Sequence, residues 1–461
     1  MTKKNILIYI LYIVLIRGQE IPNENFLFQK KKMLQDYGEN WLNVTTFGPI
    51  RFNRLAEYNP GNDSLKIDLR IGLNGNAANR MNGVAFYSYG HLSFQKYFYA
   101  YVYPRIVNNP NSFPRYTGKE RYFGRTGETD LAGIGYENNW MIMQWGRGRQ
   151  SWGAGNDIQL AISEDSPSYD YGLIGLDFGH LRVRYFHGFL EEESEYNRYI
   201  TGRCIEWTNK KSFVIGLSEI VIYSGIDRPL DIAYLNPIST HLEIEMNERQ
   251  NESGFASGNG VWQAYVDCLL RPNLRLSGNV LFDEFTLDIG HELEEGEGHS
   301  NAVSVRAVWS PKVFKKMYTS FFTEYIMVGT HTLRHQSGYN NFIQRGLPLG
   351  WQHGSDGDQY RFGLNMFNDT NLITKFSFGG RRLGEETITN EPYEPYPHFQ
   401  EVPFPSGMVI ETKFISGALQ WWWKQNVSFM AGLEWVDSDK DGQDFSFHIG
   451  FDIYYPGSFK L

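Results

Sequence analysis

The stretch Leu274-Arg275-Leu276-Ser277-Gly278-Asn279-Val280-Leu281-Phe282 decides the fold. Leu274, Leu276, Val280 and Phe282 fall on one face of an extended strand, and Arg275, Ser277 and Asn279 on the other. Two more segments repeat the pattern. Val303, Val305, Ala307 and Trp309 oppose Ser304 and Arg306, and Tyr360, Phe362, Leu364 and Met366 oppose Arg361, Gly363 and Asn365. A period of two sustained over residues 64–455, with a mean hydropathy of only -0.42, predicts a closed transmembrane β-barrel. The one extended apolar run, residues 6–16, is too short to cross a bilayer as a helix. Without a spanning helix, only strands closed into a barrel could put the remainder into lipid with every backbone group paired. A charge on the lipid face would cost about 2–4 kcal/mol near mid-bilayer, so the polar set is expected in the lumen.

A soluble sandwich or propeller also alternates, and connection lengths separate it from a barrel. Short turns fall near residues 137–139, 179–180, 208–211, 271–273, 310–312, 368–370 and 424–426. Between them lie long connections near 104–127, 149–168, 224–258, 288–299, 331–357 and 381–407. Strict alternation of short and long ends predicts periplasmic turns, external loops and about 18 strands, with both barrel ends on the periplasmic side. The last strand carries His448, Gly450, Ile453 and Tyr455, a pattern similar to the terminal signal read by the barrel-assembly machinery, followed by a tail from Pro456.

A cationic start and an apolar core predict a signal peptide over residues 1–18, cut near Gly18. Residues 19–62 then form a periplasmic N-terminal segment with a helix around residues 25–37, and residues 63–461 form the barrel. Cys204 and Cys268 fall on opposite faces of their strands and are expected as free thiols. A net charge of -9 with no basic stripe argues against nucleic acid. Aromatic residues make up 16% of the chain, which suits interfacial girdles and sugar-stacking surfaces alike.

Two stretches carry more than alternation: WGRGRQSWGAGNDIQLAISEDSPSYD, residues 145–170, and RCIEWTNKKSFVIGLSEIVIYSGIDRPLDIAYLNP, residues 203–237. Gly146, Gly148, Gly153 and Gly155 allow tight bends in the first. Arg147, Arg149 and Asp157 offer charge-assisted hydrogen bonds to acidic sugars and hydroxyls, and Trp152 offers a face for a sugar ring. The same loop could instead fold inward to plug a wide lumen. In the second stretch, residues 231–246 are expected to form a helix capping the mouth, with Arg228, Tyr234 and Asn236 as further glycan-binding candidates. Trp351 and His353 are weaker ones, and Trp421 to Trp423 read as a periplasmic girdle.

Together these motifs resemble the Wzi family of outer-membrane capsule-assembly proteins. The likeness rests on the Gly-Arg-Gln turn at residues 148–150 with Trp152-Gly153, the Glu206-Trp207 strand end, Gly216-Leu217-Ser218-Glu219, and Ala233-Tyr234-Leu235-Asn236-Pro237. It implies a lectin that holds capsular or other extracellular polysaccharide at the surface of a Gram-negative cell. Expected partners are that polysaccharide, outer-membrane lipid and lipopolysaccharide, and the assembly machinery, with the chain acting as a monomer.

Other chemistry finds little support. Asp437, Asp439, Asp441 and Gly442 open like an EF-hand, yet His448 stands where a bidentate Glu is needed. The run HELEEGEGH, residues 291–299, reads as a solvated loop. There is no Gly-x-Ser-x-Gly elbow and no His-Glu-x-x-His pair, so no catalytic residue and no cofactor is expected. A general diffusion porin, with Arg275, Arg306 and Arg361 setting selectivity, is the main alternative, and an outer-membrane hydrolase a lesser one.

Overall fold

The computed structural model describes residues 65–78, 81–95, 97–113, 116–120, 125–251, 258–283, 300–311, 317–368, 371–395 and 403–460, together with Gln29, Lys30, Lys32, Met33, Asp36, Phe47 and Gly48. The expected signal peptide, most of residues 19–62 and the acidic run 291–299 lie outside the described residues.

Eighteen antiparallel strands close into one barrel, each paired to the next along the chain. They are β1 (Lys66–Ala78), β2 (Met81–Phe94), β3 (Phe98–Asn108), β4 (Arg125–Glu137), β5 (Met141–Gly148), β6 (Tyr169–Asp177), β7 (Leu181–Phe189), β8 (Tyr196–Thr208) and β9 (Phe213–Ile226). The circuit continues through β10 (Asn259–Arg271), β11 (Leu274–Asp283), β12 (Asn301–Trp309), β13 (Met317–Val328), β14 (Gly357–Asn368), β15 (Leu372–Leu383), β16 (Ile410–Lys424), β17 (Val427–Ser438) and β18 (Gly442–Lys460). Closure comes from β18 on β1, in register from Lys66↔Lys460 to Ala78↔His448. No edge is left to template aggregation.

Alternation places the side chains as expected. Leu276, Val280 and Phe282 are exposed on the outer face of β11, while Arg275, Ser277 and Asn279 are buried inside. Trp140, Phe178, Trp207, Trp309, Trp421 and Trp423 are exposed close to the short turns and form an aromatic girdle at that end. Trp422, pointing the other way, packs inside with Met33, Phe367 and Ile373. Cys204 is buried in the lumen and Cys268 half-buried, both as free thiols.

Two expectations need correction, the connection lengths and the tail. Connections at the external end are not all long: residues 79–80, 190–195 and 439–441 are short. Two of these join β1 to β2 and β17 to β18, neighbours across the closure, so the rim is low on that side. The tail from Pro456 belongs to β18, because Pro456 pairs with Arg70 while β17 has already ended opposite Ile453. Proline is tolerated where one ladder is missing. The EF-hand-like residues lie in the β17–β18 hairpin, with Asp437 opposite Gln443, so no twelve-residue calcium loop exists there.

Candidate functional site

The connection from β5 to β6, residues 149–168, folds into the lumen. Its backbone is held by polar side chains on the inner wall. Asn279 accepts from Ala154 N at 2.7 Å and donates to Ala154 O at 3.0 Å; Ser304 donates to Ile158 O at 2.7 Å and Gln263 to Trp152 O at 3.3 Å. Its apolar side chains, Trp152, Ala154, Ile158, Leu160 and Ile162, are fully buried in one core with Phe186, Ile200 and Ile326. Gly153 and Gly155 adopt φ of 125° and 80°, the bends foreseen from sequence.

The connection from β13 to β14, residues 329–356, folds inward beside this plug. Ser163 N donates to Leu349 O at 2.7 Å and Trp351 N to Leu160 O at 3.2 Å. A Cβ on Gly350 would lie 1.8 Å from Leu160 O, so the two loops meet only because that residue is glycine.

Lys32, Met33 and Asp36, described residues of the expected periplasmic segment, reach inside the lumen. Asp36 pairs with Arg306 at 2.8 Å and accepts from Asn156 at 2.8 Å, while Ser310 donates to its carbonyl at 2.8 Å. Arg306 continues to Glu324, which also holds Arg361 at 2.6 Å. Lys32 bridges Asp157, at 2.6 Å, and Glu164. Burial opposes both charges of the Lys32–Asp157 pair, but their attraction outweighs it: the ammonium is held above its usual range and the carboxyl far below. The backbone of Phe47–Gly48 pairs with Ser151–Trp152. Buried Arg306 thus has two opposite charges beside it, Asp36 and Glu324. A cavity of about 400 Å³ remains beside the plug, lined at its periplasmic end by Met33 and Asp36 and at its external end by Gly350 and Trp351.

The eight glycan-binding candidates do not converge. Trp152 is enclosed, edge-on to Phe186 at 5.0 Å, and offers no face to a sugar. Arg149 is buried against Asp130 at 2.6 Å, Arg147 pairs with Asp170 at 3.0 Å, and Asp157 is held by Lys32. Trp351 is buried in the same core, with His353 5.2 Å from its ring. Arg228 and Tyr234 are buried elsewhere, and Asn236 is exposed with its amide on Ser239.

Nor does the 231–246 segment cap the mouth. It forms two short helices, α1 (Ile232–Leu235) and α2 (His241–Met246), packed on the outside of the wall. Tyr185, Thr201, Glu219 and Gly260 share the strand faces of exposed Leu181, Ile205, Leu217 and Leu270, and all meet this loop: Tyr185 donates to Tyr234 O at 3.0 Å, His241 N to Glu219 at 2.9 Å, and the His241 ring lies against Gly260. Arg203 and Glu219, paired at 2.8 Å, would otherwise face lipid.

A site absent from the sequence-level candidates forms at the external mouth. Tyr196, at the tip of β8, stacks on Tyr339 with centroids 3.9 Å apart, and Tyr393 lies 6.2 Å beyond. All three rings are half-buried. Beneath them, buried Arg198 donates to Tyr339 O at 2.6 Å and to Asn341 O and Ile343 O at 3.0 Å each, and its guanidinium lies 5.3 Å from the Tyr393 ring. Glu191 accepts from Tyr393 Oη and Arg345 N. Arg198, fully buried, fixes the loops from beneath, while the half-buried rings beside the Glu191 carboxylate suit sugar rings and their hydroxyls. The sequence signal was present, a Tyr in each of three turn-rich segments (Tyr196, Tyr339 and Tyr393), but their convergence depends on how the loops fold.

No protein-family model and no curated protein matches the sequence. Among solved structures the fold is similar to Wzi of Escherichia coli, described as an outer membrane protein involved in group 1 capsule assembly and a carbohydrate-binding β-barrel. The TM-score is 0.61 at 11% identity, over 83% of this chain and 84% of that one. OprD of Pseudomonas aeruginosa gives a TM-score of 0.46 at 9% identity, covering 86% and 95% of the two chains. OpdK of the same organism, solved with vanillate, gives 0.47 at 9% identity, covering 86% and 99%. The architecture is therefore a closed 18-stranded antiparallel barrel of the outer-membrane kind.

Proposed function

We propose that this protein is an outer-membrane, carbohydrate-binding barrel that holds capsular or another extracellular polysaccharide at the cell surface without performing chemistry. The observation that carries this reading is the filled interior. A diffusion pore needs Arg275, Arg306 and Arg361 facing water, whereas Arg275 and Arg306 are buried in ion pairs with Asp267, Asp36 and Glu324, and Arg361, partly exposed to the cavity, is tied to Glu324. The Tyr196–Tyr339–Tyr393 cluster, with Glu191 and Arg345 beside it, supplies the stacking and hydrogen-bonding groups a glycan needs. The resemblance of residues 145–237 to the Wzi family points the same way. Each contact is weak, and a repeating polymer gains avidity from many copies.

Retention on immobilised polysaccharide from the surface of the producing cells tests this. Removing one ring, Tyr196→Ala or Tyr339→Ala, is expected to cost about 0.5–1.5 kcal/mol, roughly two- to tenfold in affinity per repeat. Unchanged retention in the double variant would move the site away from the mouth. Failure of the intact protein to bind would end the lectin reading.

A further inference from the structure

Most of the outer wall presents apolar side chains over the height of a bilayer. On β3 they run from Phe98 through Val102 to Ile106, eight steps of roughly 3.4 Å, or about 27 Å along a tilted strand. At the tilt of roughly 35–45° usual for such strands this covers about 19–22 Å of height, most of the apolar band of about 25 Å. On β9 the exposed set stops after Ile215 and Leu217, within about 14 Å of Phe213 at the girdle. The next outward residues, Glu219, Val221 and Tyr223, are buried. On β8 the band likewise stops after Trp207 and Ile205, and Arg203, Thr201 and Tyr199 follow.

What covers this gap is the loop carrying α1 and α2. Tyr234 stacks on Tyr223 at 4.4 Å, Tyr199 donates to Arg228 O at 2.9 Å, and Ile244 joins the same buried cluster. The far side of the loop exposes a run of apolar side chains, Ile232 82%, Ile238 85% and Met246 69%, with Leu230 and Leu242 also exposed, flanked by exposed Asn236, Glu248 and Arg249. Leu242 and Met246 lie one turn apart on α2 and share a face.

A hydrocarbon layer is continuous around a barrel, so the half-height that β8 and β9 leave uncovered must meet whatever stands in front of them. We infer that the outer face of this loop is itself lipid-embedded: Leu230, Ile232, Ile238, Leu242 and Met246 complete the apolar belt by contacting the acyl chains of the external leaflet. The loop packs on Thr201 and Glu219, the outward residues that follow Arg203 and Leu217 along β8 and β9, and so lies beside the exposed wall residues Ile205, Ile215 and Leu217 of that layer in strand order. Wrapping the wall in this way lets the strands keep the Arg203–Glu219 pair and the His187–Tyr223 hydrogen bond, at 2.8 and 2.7 Å, out of lipid.

The test uses the full chain in phosphatidylcholine vesicles, with Cys268→Ala to remove the reactive background. Ile232→Cys, Ile238→Cys and Met246→Cys are labelled one at a time with nitrobenzoxadiazole. Ile215→Cys serves as the wall reference and Glu195→Cys as the solvent reference. Folding is checked by heat-modifiable migration. Doxyl-labelled acyl chains are expected to quench the three loop positions as strongly as Ile215, and aqueous iodide to leave them bright. Iodide quenching as at Glu195 would overturn the inference. Shielding from both quenchers would overturn it too, because a second copy of the chain would then cover the patch.

Discussion

Two loops of this barrel fold against its wall on opposite sides, residues 149–168 within and residues 227–251 without. In each case the side chosen is the one where the strands carry polar groups that water would not reach. Asn279, Ser304 and Gln263 offer hydrogen bonds to a backbone inside, and the 149–168 loop takes them. Arg203, Glu219 and Tyr185 offer the same outside, and α1 and α2 take those. Buried polar groups are satisfied by protein or are not tolerated. A strand face that breaks lipid alternation is therefore a face that something covers.

The inner cover rests on buried charge and should show the largest effect. Arg306→Ala removes the guanidinium shared by buried Asp36 and Glu324, leaving Glu324 only Arg361 and Asp36 only the more distant Arg275, and a loss of about 3–5 kcal/mol in urea unfolding is expected. A loss under about 1 kcal/mol would mean that Asp36 is not held in the lumen. For the outer cover, Glu219→Ala strands Arg203 and removes the acceptor for His241 N, with an expected loss of about 1–3 kcal/mol. Proteolysis should then cut residues 227–251 before the barrel opens, while equal protection of loop and strands would dissolve the distinction between the two covers.

The smallest effect is a pH dependence confined to the outer cover. Burial lowers the pKa of His241 to about 4, with His335 and Arg203 acting in the same direction against a hydrogen bond at the Gly258 backbone. The detached loop, with an ordinary histidine, binds a proton that the packed loop does not. Packing is thus fully stable above about pH 6.5 and weakens as pH falls toward 4, by up to about 1.4 kcal/mol per unit. Protection factors in residues 232–246, that is, exchange rates divided into the intrinsic rate at each pH, should fall from pH 7 to 5, and His241→Gln should flatten that dependence. A pH-independent protection factor in the intact protein would show that the ring is not enclosed.

Much of this architecture was legible in the chain. Strand faces such as Leu274 to Phe282, the near-count of 18, the girdle at Trp421 and Trp423, and the free thiols followed from a period of two. The outward loop was legible in principle as well, because Arg203 and Glu219 share the parity of Ile205 and Leu217. That break in alternation marks a covered outer face, whereas the length of the connection alone points to a helix over the mouth. Trp152 illustrates a harder limit: an aromatic in a Gly-rich loop looks the same whether it meets a sugar or fills a core, and only the position of Phe186 decides. The mouth tyrosines were illegible for a related reason, being brought together by Glu191 and Arg198 across segments far apart in sequence.

Planar-bilayer recording of the intact protein against a variant lacking residues 151–166 examines the filled interior most directly. Quiet bilayers from the intact chain and frequent large openings from the deletion variant are expected. Steady large conductance from the intact chain would contradict a plugged barrel and restore the diffusion pore.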